Sequence, residues 1–354
     1  MGDSLSKGSE NRNFIVTLTA KNDRTRMNLK RYSPLLALLA LTLQAQESTS
    51  SFNALRLPAS SHVSALGGQN VTLIEDNPAA GWNNPALYAN VSDRSLGLDF
   101  MTYFSSSTWM GAQFVKALGE RHTVAAHAHY LNYGSMDETD ASGSTIGRFS
   151  AKDITIGGGY SYLMSDRWSG GANLKFLFSN LADYSAIAMA VDLGLNYYND
   201  ESDLSLALTL QNLGTQLKAY DESVHTHLPF AINLGLTKGL NHLPARIHLT
   251  LVDLNRWKTS YYALPDAEAK APGFTRKALN HLVVGLDILP TDQVYLSLGY
   301  NFRRAYELKA SGKSHLAGIS AGAGLNLSRL QFGFSYAKYH MAGNSLMFTA
   351  GYKL

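Results

Sequence analysis

From residue 95 to the C-terminus the chain alternates with a period of two, and no other feature limits its fold so tightly. Leu204, Leu206, Leu208 and Leu210 are interleaved with Ser205, Ala207, Thr209 and Gln211. Phe230, Ile232, Leu234 and Leu236 alternate with Ala231, Asn233, Gly235 and Thr237. The same pattern recurs at Val294–Phe302 and at Leu346–Leu354. Residues two apart share one face of a strand. Each segment therefore has one bulky apolar face and one small or polar face.

A soluble sandwich also alternates, with its apolar face turned inward. Three features favour a transmembrane barrel instead. The segments are roughly ten residues long, which matches a tilted membrane crossing. Glycines recur on the non-apolar face, at Gly157, Gly159, Gly171 and Gly194. Aromatics gather near segment ends, at Trp168, Tyr197, Tyr198, Tyr300, Phe302 and Tyr352, as interfacial girdles do. The expected fold is all-β, an antiparallel transmembrane barrel of fourteen strands. These run approximately over 95–104, 108–116, 121–132, 153–164, 167–178, 184–198, 203–212, 229–238, 244–254, 279–288, 294–303, 315–326, 329–339 and 344–353. The longer connections, 133–152, 213–228, 255–278 and 304–314, all fall on one side. Outer-membrane barrels have short periplasmic turns and long outer loops, so the termini are expected in the periplasm and the long loops outside the cell.

Composition removes other classes. The chain has no Cys, which excludes disulfides, Cys-rich zinc sites and a lipoprotein anchor. The longest apolar run, Leu35–Leu41, is too short for a membrane helix. Met27-Asn-Leu-Lys-Arg31, the apolar stretch that follows and Gln44-Ala45-Gln46 read as a signal peptide cleaved near Ala45. Residues 1–26 then precede the natural start, 27–45 are the signal, 46–94 a periplasmic N-terminal segment and 95–354 the barrel. Seven of the 30 Lys/Arg and three of the 27 Asp/Glu lie in the first 45 residues. The remainder carries 23 bases and 24 acids, a net charge of −1. Basicity therefore gives no reason to expect a nucleic-acid partner.

Catalytic motifs are sparse, and the expectation is that the chain is not an enzyme and carries no cofactor or metal. A lone S-x-x-K at Ser4–Lys7 lacks its partner motifs. His127 and His129 share a strand face and could hold a metal, but polar lumen lining accounts for them without a third ligand. Asp137, Glu138 and Asp140 form either a weak Ca²⁺ site or a solvated loop. Arg303, Arg304, Lys309 and Lys313 either meet lipid phosphates or form a solvated rim. Gly157-Gly158-Gly159 lies inside a strand pattern, so close packing explains it better than phosphate binding.

Residues 52–94 lack clean alternation. They contain Ala65-Leu-Gly67-Gly68, the acidic pair Glu75-Asp76, and Asn84-Pro85-Ala86-Leu87. Gly67-Gly68 permits a tight turn, and Asn84 can cap a short helix opening with Pro85. This order resembles the N-terminal hatch of FadL-like barrels. With Arg56-Leu-Pro, Val71-Thr-Leu-Ile, Met101-Thr-Tyr103, Lys116–His122 and Tyr133–Met136, it is similar to the PorQ family, outer-membrane barrels of the type IX secretion system of Bacteroidetes related to PorV. That resemblance implies a non-enzymatic role in cell-surface attachment: docking a PorZ-like surface protein, with PorU and PorV, in a lipid bilayer entered through barrel-assembly machinery. The loops 133–152, 213–228 and 255–278 are then the expected platform. Trp257, Tyr261, Tyr262 and Phe274 of the last are either interface anchors or part of the lipid girdle. The alternative is a FadL-type transporter of hydrophobic small molecules. It predicts a greasy lumen, which the Ser, Thr, Gly, Asn and Gln of the inward faces do not obviously make, although the N-terminal hatch could line one.

Overall fold

The computed structural model describes residues 52–104, 106–221, 226–258, 272–308, 317–340 and 343–354. The upstream segment and signal peptide, Ser4–Lys7, Tyr261, Tyr262, Lys309 and Lys313 lie outside the described residues. Among those described, fourteen antiparallel strands close into a barrel, each paired to its sequence neighbour and the first to the last. The short strands are β1 (Ser95–Thr102), β2 (Thr108–Leu118), β8 (Ala231–Gly239), β9 (Ala245–Leu251), β10 (Leu282–Thr291), β11 (Val294–Asn301), β12 (Ile319–Asn326), β13 (Leu330–His340) and β14 (Gly343–Lys353). The tall ones are β3 (His122–Thr139), β4 (Thr145–Ser165), β5 (Trp168–Leu181), β6 (Tyr184–Asn199) and β7 (Leu204–Lys218). The β1–β14 seam runs in continuous register from Ser95↔Lys353 to Thr102↔Leu346. Closure satisfies the backbone hydrogen bonds that an open sheet would expose to lipid.

The alternation resolves as a membrane barrel requires. Leu298 is 51% exposed, while its neighbour Ser297 is 2% exposed. Leu206 and Leu208 face out, and Ser205 and Thr209 face the lumen. The apolar face is thus the outer one, opposite to a soluble sandwich. A concavity of about 650 Å³ between Leu98, Phe100, Phe332, Phe334 and Phe348 lies on this lipid-facing surface.

One expectation is corrected. The segment 133–152 is not an irregular loop, because β3 and β4 continue through it as a paired ribbon, Ser135↔Ser150 to Thr139↔Thr145. Similarly, β7 extends to Lys218. A polar strand pair that leaves the membrane keeps its ladder because water does not strip cross-strand hydrogen bonds. The lost apolar alternation marked the membrane boundary rather than the strand end. Short helices occupy Phe274–Asn280 and Phe302–Glu307 in two other connections on the same end.

Candidate functional site: the hatch and its anchors

Residues 52–94 fold inside the barrel as a hatch with two short helices and two 3₁₀ turns, at Asn53–Arg56, Ser61–Ala65, Ala80–Asn83 and Pro85–Asn90. Ser60 caps the first helix through its hydroxyl, which accepts from Val63 N. Gly67 and Gly68 end it, with φ of 98° and 84°, a region open to glycine at little cost. Asn84 Oδ1 accepts from Ala86 N at 3.1 Å and opens the last turn ahead of Pro85, while its Nδ2 donates to Val71 O.

The wall is shaped to receive this segment. A Cβ on Gly299 would strike the backbone of Ala65–Gly67, and one on Gly171 would strike Pro85 and Ala86. The inward glycines are therefore seats for the hatch backbone. Ser320 Oγ donates to Ala65 O at 2.7 Å and accepts from Gly67 N, and Asn301 Nδ2 donates to Gly67 O.

Two buried side-chain clusters hold the hatch. In the short half, His62 Nδ1 lies 2.9 Å from Glu75 Oε2, and its Nε2 lies 3.0 Å from Asp287 Oδ2 on β10. His248 Nε2 on β9 meets the same carboxylate at 2.9 Å, Ser297 Oγ donates to it, and Tyr295 stacks on His62 at 3.8 Å. Burial opposes charge on His62, but Asp287 and Glu75 outweigh it and raise its pKa to about 10. His62 therefore carries two N–H donors and bridges hatch to wall. Asp76 makes the neighbouring tie. Its Oδ1 accepts from Ser92 N, and Lys353 Nζ of β14 lies 2.6 Å from its Oδ2.

In the tall half the hatch presents Trp82. Lys175 Nζ on β5 lies 3.7 Å from the ring centroid and 2.5 Å from Asp192 Oδ2 on β6. His127 and His129 of β3 meet the indole edge-on. A bulge at Asn212, φ 57°, turns its N–H onto Asp192 Oδ1 at 2.7 Å.

Beside Trp82 the lumen is apolar. Met101, Trp109, Leu131, Leu177 and Met347 point inward and pack around Phe52, Leu55 and Leu57 of the hatch. This corrects the expectation that the inward faces lack a greasy lining. Those residues sit at the upper ends of their strands and come from separate parts of the chain, so no single segment reveals the chamber. Polar cavities flank the hatch at its two ends. One of 390 Å³ is lined by Arg56, Gln69, Asp253 and Arg303, and one of 350 Å³ by Glu75, Asp76, Asp292 and Lys353.

This plugged barrel has relatives in shape. The TodX deltaS2S3 mutant monoaromatic hydrocarbon channel aligns over 82% of this chain and 97% of its own, at 12% identity and a TM-score of 0.53. The CymD monoaromatic hydrocarbon channel aligns over 85% and 98%, at 10% identity and 0.52. The TodX deltaS2 mutant aligns over 84% and 97%, at 14% identity and 0.50. TodX is described as a toluene transporter of Pseudomonas putida. The fold is FadL-like. No family model and no curated protein matches the chain.

In this FadL-like barrel, the sequence-selected hatch residues Gly67, Gly68, Glu75, Asp76, Asn84, Pro85 and Ala86 all lie inside the lumen, divided between the two halves of the wall. Trp257 and Phe274 come together as a stacked pair at 5.9 Å, 39% and 77% exposed. His127 and His129 share the inward face, and among the described residues no group of three His, Cys, Asp or Glu is placed to hold a metal. Sequence reasoning missed Trp82, Lys175, Asp192, His62, His248 and Asp287. One signal was available: Lys175, Asp192 and Asp287 are charges on the inward phase of membrane strands, where an ionisable group needs a partner.

Proposed function

We propose that this protein is a non-enzymatic outer-membrane barrel that carries apolar small molecules, the reading set second on the sequence alone. The observation that carries it is the apolar chamber in the lumen, lined by Met101, Trp109, Leu131, Leu177 and Met347 and filled by the chain's own Phe52, Leu55 and Leu57. A dry, concave, apolar lining is what small apolar ligands bind. An interior with only a structural task could be filled by polar networks, as the other half of this lumen is. The hydrocarbon channels of like fold point the same way. Passage requires the Phe52–Leu57 segment to leave the chamber. In this reading the termini lie in the periplasm and the long-connection end faces outward.

The test is uptake, with toluene as the probe, into liposomes that hold the purified protein and whose outer leaflet is lipopolysaccharide, which slows unaided entry of apolar solutes. Uptake should exceed that of empty liposomes. The double variant Phe52→Ser/Leu55→Ser, which weakens the seal, should raise it. A rate equal to that of empty liposomes for both proteins would reject the carrier.

A second reading rests on the tall wall. The β3–β4 ribbon rises beyond its neighbours, since β2 pairs with β3 only as far as Asn132. A rigid projecting ribbon is a docking surface. The type IX secretion role, with a PorZ-like surface protein and PorU and PorV as partners, would use it together with the Trp257–Phe274 pair. Pull-down from native outer membranes, with and without residues 136–147, tests that reading. An unchanged set of co-purifying proteins would reject it.

A further inference from the structure

The wall of the tall half contains a box shaped for a planar ring, and the chain's own indole occupies it. Lys175 supplies a cation above the face of Trp82, with Asp192 holding the ammonium in place. His129 closes one edge at 4.1 Å and 66°, and His127 another at 5.2 Å and 82°. Trp109 backs His129 at 4.9 Å and belongs, with Trp82, to the apolar chamber. The box residues come from β2, β3, β5 and β6, so the wall forms it without help from the hatch.

Two observations set it apart from ordinary core packing. His127 is 4% exposed, and both its ring nitrogens lack a hydrogen-bond partner among the described residues; so does His129 Nδ1. Buried polar groups are ordinarily paired, so these imidazoles fit a site adapted to a visitor better than one adapted to stability. The helix bearing Trp82 is also only four residues long, Ala80–Asn83. Single side-chain bonds hold it: Asn173 Nδ2 donates to Gly81 O at 2.9 Å and Gln211 Nε2 to Asn83 O at 2.5 Å. No sheet ladder has to break for Trp82 to leave.

We infer that this box is an aromatic-ligand site and that Trp82 is its resident competitor, displaced when an electron-rich ring arrives from the apolar chamber. The inference rests on the carrier reading above and names its substrate class. A cation over a ring attracts the negative face of the π system, most strongly for indole-like and phenol-like rings. A saturated hydrocarbon of equal size gains nothing from Lys175.

The test measures binding of indole and of cyclohexanol to the purified full chain in detergent micelles. If the box is open in roughly a tenth or less of wild-type molecules, Trp82→Ala should bind indole about tenfold more tightly or better. Cyclohexanol should gain as well, since the competitor blocks both, but adding Lys175→Met to Trp82→Ala should weaken indole and leave cyclohexanol unchanged. No gain for indole in Trp82→Ala, or an equal loss of both probes on replacing Lys175, would overturn the site. Should Trp82→Ala fail to fold, the wild type still decides the matter. Saturating indole should speed hydrogen exchange at Ala80–Asn83, and unchanged exchange would overturn displacement. Uptake of indole into the same lipopolysaccharide-faced liposomes separates the two readings. Tight binding by Trp82→Ala without uptake by the wild type would leave the box standing and reject the carrier.

Discussion

The two anchors of the hatch solve one problem by different physics. In the short half, His62, Glu75, His248 and Asp287 form a charged cluster with hydrogen bonds at 2.9–3.1 Å. In the tall half, a ring is held between a cation and two imidazole edges, and His127 makes no hydrogen bond among the described residues. A network of directional bonds tolerates little displacement, because removing one member leaves buried charge unpaired. A ring in a box is held by contact and quadrupole terms that another ring can replace. The difference suggests a fixed end and an exchangeable end of the same segment.

The comparison can be broken most sharply at Asp287. Asp287→Ala leaves His62 and His248 without their shared carboxylate, and the expected loss is about 3–5 kcal/mol, as for other broken buried pairs. Urea unfolding in micelles measures it. A loss under about 1 kcal/mol would mean that the short-half cluster is no more rigid than a surface pair.

A smaller effect is expected from the seats. Gly299→Val forces a side chain into the Ala65–Gly67 backbone, and Gly171→Val forces one into Pro85–Ala86. Overpacking of this kind costs about 1–3 kcal/mol. Thermal unfolding should fall for both variants, but faster hydrogen exchange should appear at Ser61–Gly68 in the first and at Pro85–Asn90 in the second. Loosening of the whole hatch by either variant would show that it moves as one body.

The pH dependence separates the ends further. The folded pKa of His62 is raised to about 10 from the ordinary histidine value of 6.5. A raised folded pKa gives stability that is complete below the unfolded value and lost as pH climbs through the folded one. Protection of Ser61–Ala65, after correction for intrinsic exchange, should therefore be full at pH 6 and decline near pH 10. Protection of Ala80–Asn83 should not follow that curve. The smallest effect belongs to the projecting ribbon. Arg148 and Asp137 pair at 3.0 Å on an exposed surface, and Arg148→Ala should cost less than about 1 kcal/mol by urea unfolding.

How far these features could be read in the sequence varies with their range. The strand alternation is local, so β6 and β14 were legible to within one residue at each end. The hatch motif was legible too, because Gly67-Gly68 and Asn84-Pro85 have local conformational consequences. The extent of β3 and β4 was not, since a ribbon outside the membrane need not be apolar on either face. Of the site, the acidic pair Glu75-Asp76 was visible as a motif, but its partners His62 and Lys353 were not: the second is joined to it only by closure of the barrel.

What the sequence determined by itself is the class of fold: a period of two with apolar residues on one face, interrupted by turns, leaves a closed barrel as the structure that satisfies its backbone in lipid. What only the tertiary structure decided is how the lumen is filled. Asp287 is 225 residues from His62, and Lys175 reaches Trp82 from the far side of the hatch sequence. Such contacts depend on strand register and on which inward positions are glycine. These are properties of the assembled wall, and no local stretch of chain contains them.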